Sequence, residues 1–176
     1  MKHIYVDIDG VLADFEGYWI KQYGSYDFCR DKFKLLIEQD RVFTKLNKTR
    51  NCDLLVEYLK SVKKNFPVKI SILSSSGTKR TNLRQQVIEQ KTEWLTKNID
   101  FEFDSLNFVT CKPEKANYAT NNSFLIDDMP GCVEPFIQAG GSAVLHRDDA
   151  ILCTLSQIIS FISYKDYIVN TCRKTY

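Results

Sequence analysis

Five short apolar segments recur along the chain and alternate with longer segments of helical periodicity. Each apolar segment is nearly continuous rather than strictly alternating, which is typical of parallel strands that are covered on both faces. Strands that alternate with helices form βαβ units around a parallel sheet. The pattern therefore predicts an α/β fold with a parallel five-stranded sheet. The predicted strands are His3–Ile8, Val68–Leu73, Asn107–Thr110, Phe124–Ile126 and Ser142–Leu145.

The segments between these strands have the spacing of amphipathic helices. In the longest segment, apolar residues recur about every 3.6 positions and predict a helix over Arg80–Asn98. The glycines Gly140 and Gly141 predict the end of a helix just before the last strand. The other predicted helices are Lys115–Thr120, Val133–Ala139 and Ile151–Ile162, and the apolar positions of the longest are Leu83, Val87, Trp94 and Leu95.

Residues 15–66 interrupt the alternation of strands and helices. They are helical in pattern and rich in aromatic side chains, as in Tyr18-Trp19 and Phe33–Ile37. Because they follow the first strand, we predict a small helical cap that folds over the carboxyl edge of the sheet. The predicted organisation is a core of residues 1–14 and 67–162, a cap of residues 15–66 and a loosely held, polar C-terminal tail of residues 163–176.

Length and composition limit the classes to which the chain can belong. A chain of 176 residues with 44% hydrophobic and 26% charged residues is typical of a globular protein of one domain. The net charge of +2 is too small to favour a nucleic acid polymer or an anionic membrane as partner. No apolar run is long enough to span a membrane, and the N-terminus leads directly into a strand rather than a signal peptide. These features predict a cytoplasmic protein and leave a homodimer open.

The cysteines predict thiols rather than a metal site. The six cysteines contain no C-x-x-C pair, and only His3 and His146 accompany them. This spacing disfavours zinc, and a reducing cytosol would keep the thiols free.

Two acidic residues follow the first predicted strand, in the sequence Asp7-Ile8-Asp9-Gly10. Alternation along a strand directs the Asp7 and Asp9 side chains to the same side. Two carboxylates this close repel each other unless a cation lies between them. A hard cation such as Mg²⁺ takes oxygen ligands and commonly binds substrate phosphate as well. The end of the first strand therefore favours a Mg²⁺ site.

Three further features fall at the ends of later strands. Hydroxyl groups and a glycine follow the second strand at residues 74–77, Lys112 and Lys115 follow the third, and Asp127-Asp128 ends the fourth. Taken singly, each has a plainer explanation, namely a capped loop, solvated lysines and a turn. Together, their order predicts a pocket for phosphate and Mg²⁺, because the carboxyl ends of parallel strands meet at one edge of a sheet.

Two common alternatives lack their signatures. The chain has no G-x-x-x-x-G-K-[ST] loop, so it is not a P-loop enzyme. It has no G-x-S-x-G motif either, which disfavours a Ser-His-Asp hydrolase.

The order of these motifs resembles the four motifs of the haloacid-dehalogenase-like (HAD) phosphatase superfamily, over roughly residues 3–146. More narrowly, the chain resembles the 5′(3′)-deoxyribonucleotidases. The resemblance implies a three-layer αβα Rossmann-like HAD core with a small helical cap inserted after the first strand. The residues that carry the narrower resemblance are Asp7-Ile8-Asp9-Gly10-Val11-Leu12-Ala13-Asp14-Phe15-Glu16-Gly17, Ser74-Ser75, Lys91–Trp94 and Leu125-Ile126-Asp127-Asp128.

The resemblance also implies roles for the acidic residues. Asp7 is expected to be the nucleophile that forms an aspartyl-phosphate, and Asp9 the general acid and then the general base. Mg²⁺ is expected to be held by Asp7, the main-chain carbonyl of Asp9, and Asp128, with Asp127 orienting metal-bound water. Because enzymes that cleave carbon–halogen bonds lack the second acid, Asp9 disfavours dehalogenase chemistry.

The remaining expected site residues would hold the substrate. Ser74, Ser75 and a lysine would bind the phosphoryl oxygens; the resemblance favours Lys115, and Lys112 is the alternative. Phe15 and Phe43 lie where the relatives place rings against sugar and base, whereas for Trp19 a place in the hydrophobic core of the cap is equally compatible. We interpret the basic residues Lys79, Arg80 and Arg84 near the phosphate loop as a solvated helix face, with substrate contact as the alternative.

The hypothesis from the sequence is thus a Mg²⁺-dependent phosphomonoesterase, a nucleotidase that hydrolyses (deoxy)ribonucleoside monophosphates. One alternative is a phosphatase for a phosphosugar or another small phosphometabolite. The other is an inactive protein that binds and senses a nucleotide, although all acids of the expected metal site are present.

Overall fold

The computed structural model of the protein describes residues 1–25 and 29–172, with side chains as far as residue 163. Its strands are β1 (Lys2–Val6), β2 (Val68–Ser75), β3 (Leu106–Val109), β4 (Ser123–Asp127) and β5 (Ser142–Leu145). All pairs are parallel, and the strands form one sheet in the order β3-β2-β1-β4-β5. The prediction of an α/β fold with a parallel five-stranded sheet is confirmed.

The central strand β1 sets the register at the carboxyl edge of the sheet. Val6 lies opposite Ile72 of β2 and Ile126 of β4. The chain therefore leaves β1 and β4 at the same level, which makes Asp7 and Asp127 neighbours. The Asp7 backbone N–H continues the ladder by donating to the Ile126 carbonyl at 3.0 Å.

Apolar side chains cover both faces of the sheet, as its near-continuous apolar segments predict. Ile4 and Val6 of β1 belong to one buried cluster, whereas Tyr5, between them, belongs to a second cluster with Leu125 and Phe136. The side chains of successive strand residues thus pack into opposite layers of the core.

Helices pack on the two faces of this sheet. The α-helices are α1 (Phe15–Tyr23), α2 (Arg30–Glu38), α3 (Cys52–Asn65), α4 (Thr81–Asn98), α5 (Pro130–Gln138) and α6 (Ile151–Cys172), and the 3₁₀ helices are Val42–Lys45, Lys112–Tyr118 and Asp148–Ala150. α3 contacts β2 and α6, while α5 contacts β4 and β5. A helical insertion follows β1 as predicted, but its last helix, α3, lies beside the sheet. Among the described residues, no helix combines the length and apolar character that crossing a membrane requires.

Three buried hydrogen bonds attach the insertion to α4. The Gln90 side-chain amide donates to the Ile37 carbonyl at 3.0 Å, and its oxygen accepts from the Phe43 N–H at 3.4 Å. The indole N–H of Trp94 donates to the Leu46 carbonyl at 2.8 Å. Gln90 and Trp94 are both buried, so these bonds are shielded from water.

Most predicted boundaries differ from the observed ones by one to three residues, and three of the differences bear on the site or on the predicted tail. β1 ends at Val6 rather than Ile8, because the chain turns there and the Leu12 and Ala13 N–H groups both donate to the Ile8 carbonyl. The predicted helix Lys115–Thr120 is the 3₁₀ helix Lys112–Tyr118. α6 continues to Cys172, where a loose tail was expected from residue 163. No glycine or proline interrupts residues 151–172, and residues 173–176 of the predicted tail lie outside the described part.

Trp94→Phe should destabilise the protein by about 1–3 kcal/mol, because it keeps most of the ring but leaves the buried Leu46 carbonyl without its donor. Urea unfolding followed by circular dichroism measures the change. The exposed Thr96→Val on the same helix should change stability by no more than about 0.5 kcal/mol. Equal stabilities of Trp94→Phe and the wild type would show that the contact contributes nothing.

Candidate active site

Three carboxylates come together at the carboxyl edge of the sheet. Asp7 follows β1, Asp127 ends β4, and Asp128 comes next along the chain. One oxygen from each lies within 4.8 Å of the other two, as in a site for a metal ion. The cluster combines Asp7 and Asp128, both expected as metal ligands, with Asp127, which was expected to orient metal-bound water.

The Lys115 ammonium lies between two of these carboxylates. Its Nζ is 2.7 Å from Asp7 Oδ2 and 2.6 Å from Asp127 Oδ2, and its side chain is 1% exposed. Burial alone would lower the pKa of Lys115, but the two carboxylates raise it above its ordinary value. Lys115 is therefore charged at neutral pH. The 3₁₀ helix that begins at Lys112 carries Lys115 into the site, while Lys112 itself is exposed.

Asp7 is held in the form that can attack an electrophile. Burial would raise the pKa of Asp7, but Lys115 and then Lys91 hold it below its ordinary range. Its Oδ1 accepts from the Ile8 N–H at 2.8 Å, which fixes the carboxylate plane. Asp7 is thus an ionised, oriented carboxylate at the edge of a rigid sheet.

Asp9 lies in the turn after β1, so the alternation argument that placed it beside Asp7 does not apply to it. Its Oδ2 accepts from Lys91 Nζ at 2.6 Å. Its Oδ1 is buried and makes no hydrogen bond within the described part of the chain. Burial raises the pKa of Asp9, the charge of Lys91 lowers it, and the charge of Asp7 raises it again. As a result, the pKa of Asp9 lies above its ordinary value.

Lys91 is a site residue to which the sequence analysis assigned no role. It lies on α4, is fully buried, and also donates to Ser74 Oγ at 3.0 Å and to the Ser75 carbonyl at 2.8 Å. One signal was available: residue 91 is four positions after Val87, on the apolar stripe of the helix. A charged residue at a core position of a helix usually has a buried partner, since leaving it unpaired is costly.

The residues that accompany Asp128 suit a cation. Burial, followed by the charge of Asp7 and of the neighbouring carboxylates, raises the pKa of Asp128 to about 8. Gly10 has a φ of +72°, and a Cβ there would lie 2.1 Å from Asp128 Oδ2, so only glycine leaves room for this carboxylate. A divalent cation would relieve the mutual repulsion, and oxygen donors are the ligands that Mg²⁺ prefers.

Ser74 and Ser75 end β2 beside these groups. Ser74 is fully buried, and its hydroxyl contributes to keeping the pKa of Asp7 low. The Ser75 hydroxyl donates to the Thr110 carbonyl at 3.3 Å and accepts from the Gly77 N–H at 3.1 Å. The structure thus brings Ser74 next to Asp7, while Ser75 organises the loop that follows.

The expected aromatic residues form one cluster, which reaches the Lys91 ammonium. Phe15 and Phe43 are stacked with ring centroids 5.5 Å apart, and both meet Phe33 edge to face. The Phe43 ring lies 4.7 Å from Lys91 Nζ, although only 2% of the residue is exposed. Trp19 is fully buried and packs at a tilt against Phe15, which places it in the core of the insertion.

Comparison with solved structures gives matches of low identity. A hydrolase from Streptococcus pneumoniae TIGR4 aligns with 16% identity and a TM-score of 0.50, over 91% of this chain and 100% of that one. A HAD family enzyme from Bacteroides thetaiotaomicron, in complex with magnesium and inorganic phosphate, has 15% identity and a TM-score of 0.49, over 84% and 95%. L-2-haloacid dehalogenase from Xanthobacter autotrophicus has 13% identity and a TM-score of 0.46, over 81% and 76%.

No protein-family model matches the sequence, and no curated protein matches it. The similarity to solved structures therefore bears on the fold alone. The chain has an α/β fold with a five-stranded parallel sheet and a helical insertion after the first strand.

Proposed function

We propose that the protein is a Mg²⁺-dependent phosphomonoesterase that hydrolyses (deoxy)ribonucleoside monophosphates to nucleoside and phosphate. One observation carries the proposal. An ionised carboxylate, Asp7, lies 2.7 Å from a buried lysine and within 4.8 Å of two further acids at the carboxyl edge of the sheet. A second lysine, Lys91, binds the nearby Asp9. Such a set of charges suits the transfer of a phosphoryl group, in which catalysis depends on positioning and on stabilising charge.

Asp7 is the proposed nucleophile. One of its oxygens attacks phosphorus, the bond to the leaving oxygen breaks, and an aspartyl-phosphate forms. Water then attacks the phosphorus of this intermediate, which releases phosphate and regenerates the carboxylate. Lys115, Ser74 and Ser75 are the proposed partners of the phosphoryl oxygens. Of these three partners, the geometry supports Lys115 best, because its positively charged Nζ lies 2.7 Å from Asp7 Oδ2.

Asp9 is the proposed general acid and base. Its pKa lies above the ordinary value because of burial, which favours a protonated carboxyl group that can protonate the leaving alkoxide. Its Oδ1, which has no hydrogen-bond partner among the described residues, is the atom we assign to the transferred proton. Lys91 holds the other oxygen and so orients the group. Having lost the proton, Asp9 can deprotonate the attacking water.

Asp7 and Asp128, with the main-chain carbonyl of Asp9, are the groups we propose to hold Mg²⁺. Asp127 belongs to the same cluster and is bound by Lys115, which supports an orienting role for it. When bound, the cation supplies positive charge against the negative charge of the transferring phosphoryl group. The preference for Mg²⁺ rests on the all-oxygen donor set.

The aromatic cluster supports a nucleoside as the leaving group, since flat rings stack on bases. Phe15 and Phe43 are the proposed contacts.

A second candidate function is a phosphatase for a phosphosugar or another small phosphometabolite, and one observation favours it. Phe43 and Phe15 are only 2% and 7% exposed, so a base must enter between rings that now pack against each other.

Metal dependence tests the enzyme assignment. Purified protein should release phosphate from p-nitrophenyl phosphate with Mg²⁺ and lose this activity, by at least about a hundredfold, after EDTA treatment and desalting. Added Mg²⁺ should restore it. Activity that survives EDTA would refute the proposed metal dependence, and binding of a nucleotide without turnover would favour the sensor. A panel of nucleoside monophosphates and sugar phosphates then separates the two candidate substrate classes.

Asp7→Asn should abolish turnover, by at least about 10³-fold in kcat, because an amide does not attack phosphorus. The fold should persist, since the amide keeps the shape of the side chain and can still accept from the Ile8 N–H. Phosphate release and thermal unfolding measure the two effects. Asp40→Asn, at an exposed position of the insertion, is the matched control and should keep wild-type activity. Unchanged turnover in Asp7→Asn would exclude this nucleophile.

Phe43→Ala should raise KM for nucleoside monophosphates about tenfold more than KM for p-nitrophenyl phosphate, because stacking on a base contributes roughly 1–3 kcal/mol. Phe43→Leu preserves apolar volume and separates loss of packing from loss of the flat ring. Steady-state kinetics on both substrates checks this. Equal changes in the two KM values, in both variants, would show that the ring does not touch the base.

A further inference from the structure

A cavity of about 360 Å³ lies beside the candidate active site and is lined by none of the carboxylates described above. Its walls come from the first turn of α2, the loop after β2, the start of α4 and the segment after β3. The insertion and the core therefore both contribute to it. The lining residues that matter here are Arg30, Asp31, Phe33, Lys34, Gly77, Lys79 and Arg80.

Positive charge dominates the lining. Arg30 and Lys34 come from α2, Lys79 and Arg80 come from the loop after β2, and Asp31 is the acidic side chain among them. Lys34 is 3.7 Å from Glu38, which is at the long end for an ion pair. Within the described part of the chain, the other three cations form no ion pair with a carboxylate. The whole chain carries a net charge of only +2, so this cavity is a local concentration of positive charge.

Two helices begin at this cavity. Arg30 is the first residue of α2, and Arg80 immediately precedes α4. Neither helix has a side-chain hydrogen bond to its first backbone N–H groups, so both ends keep their partial positive charge. This adds to the attraction that the cationic side chains exert on an anion.

The cavity adjoins the place where the reacting phosphate is expected. Gly77, in its wall, follows the serines of the phosphate loop, and its N–H is bound to Ser75. Phe33, in the opposite wall, lies 3.5 Å from the point that a Cβ of Gly77 would occupy. The same ring packs against Phe15 and Phe43, and the Phe43 ring lies 4.7 Å from Lys91 Nζ, which binds Asp9. Phe33 thus lines the basic cavity and also contacts the two rings proposed to meet the nucleoside.

We infer that this cavity binds a second phosphate group of the substrate, so that the preferred substrates are nucleoside bisphosphates rather than monophosphates. The inference rests on the proposed phosphatase function and narrows its substrate class. One phosphate would lie at Asp7 and Lys115, and the sugar would pass Phe33. The other phosphate would meet Lys79, Arg80 and Arg30. Guanidinium groups suit this role because they bind phosphate oxygens in pairs.

The test compares adenosine 5′-monophosphate, adenosine 3′-monophosphate and adenosine 3′,5′-bisphosphate as substrates of the wild type and of Lys79→Gln/Arg80→Gln. The wild type should show a KM for the bisphosphate at least about tenfold below that of the better monophosphate. The double variant should lose this preference and keep its KM for monophosphates within about twofold. Lys97→Gln, an exposed position in the last turn of α4, is the matched control and should resemble the wild type.

A binding measurement separates this inference from turnover. Calorimetric titration of Asp7→Asn with adenosine 3′,5′-bisphosphate should give a Kd at least about tenfold lower than with the monophosphates, and the two glutamine substitutions should remove the difference. Hydrolysis of monophosphates without any preference for the bisphosphate would overturn the inference and leave the proposed function standing. Binding of inorganic sulfate to the cavity, together with equal Kd values for bisphosphate and monophosphate, would also overturn the inference. The cavity would then hold a free anion, and the proposed function would still stand. No turnover of any phosphomonoester would refute the proposed function itself.

Discussion

The contact of one buried ammonium group with two buried carboxylates is the constraint on which the candidate site depends. Lys115 is 1% exposed and lies within 2.7 Å of oxygens from Asp7 and Asp127, which come from neighbouring strands. Removing one partner from a buried pair leaves an uncompensated charge and costs about 3–5 kcal/mol. The ammonium therefore makes it feasible for acids from β1 and β4 to be brought together before any cation or substrate arrives.

The sequence could predict this part of the site because it depends on local order and sheet topology. Parallel strands end at one edge, so acids that follow two apolar segments become neighbours once β1 and β4 pair. The resemblance favoured Lys115 over Lys112, and the physical reason lies in the 3₁₀ helix, which buries Lys115 and leaves Lys112 exposed. The placement of Asp9 needed the turn after Val6, where the alternation of a strand no longer holds.

The features that could not be predicted from the sequence are contacts between residues far apart along the chain. Lys91 touches Asp9 across a separation of 82 positions, and its only local sign was a charge on an apolar helix stripe. The basic cavity joins α2 to the loop after β2, so Lys79 and Arg80 alone resembled a solvated helix face. Such juxtapositions depend on how the insertion packs against the core, and no local pattern encodes that packing.

The helix α4 couples the insertion to the carboxylates. Gln90 and Trp94 bind backbone groups of the insertion, while Lys91, between them, binds Asp9 and Ser74. Phe43 contacts two of these α4 residues: its N–H donates to the Gln90 side chain, and its ring lies over the Lys91 ammonium. A shift of the insertion away from α4 would therefore remove the ring that covers Lys91 and expose its charge to water. Because water weakens electrostatic interactions, the position of the insertion bears directly on how strongly Lys91 acts on Asp9.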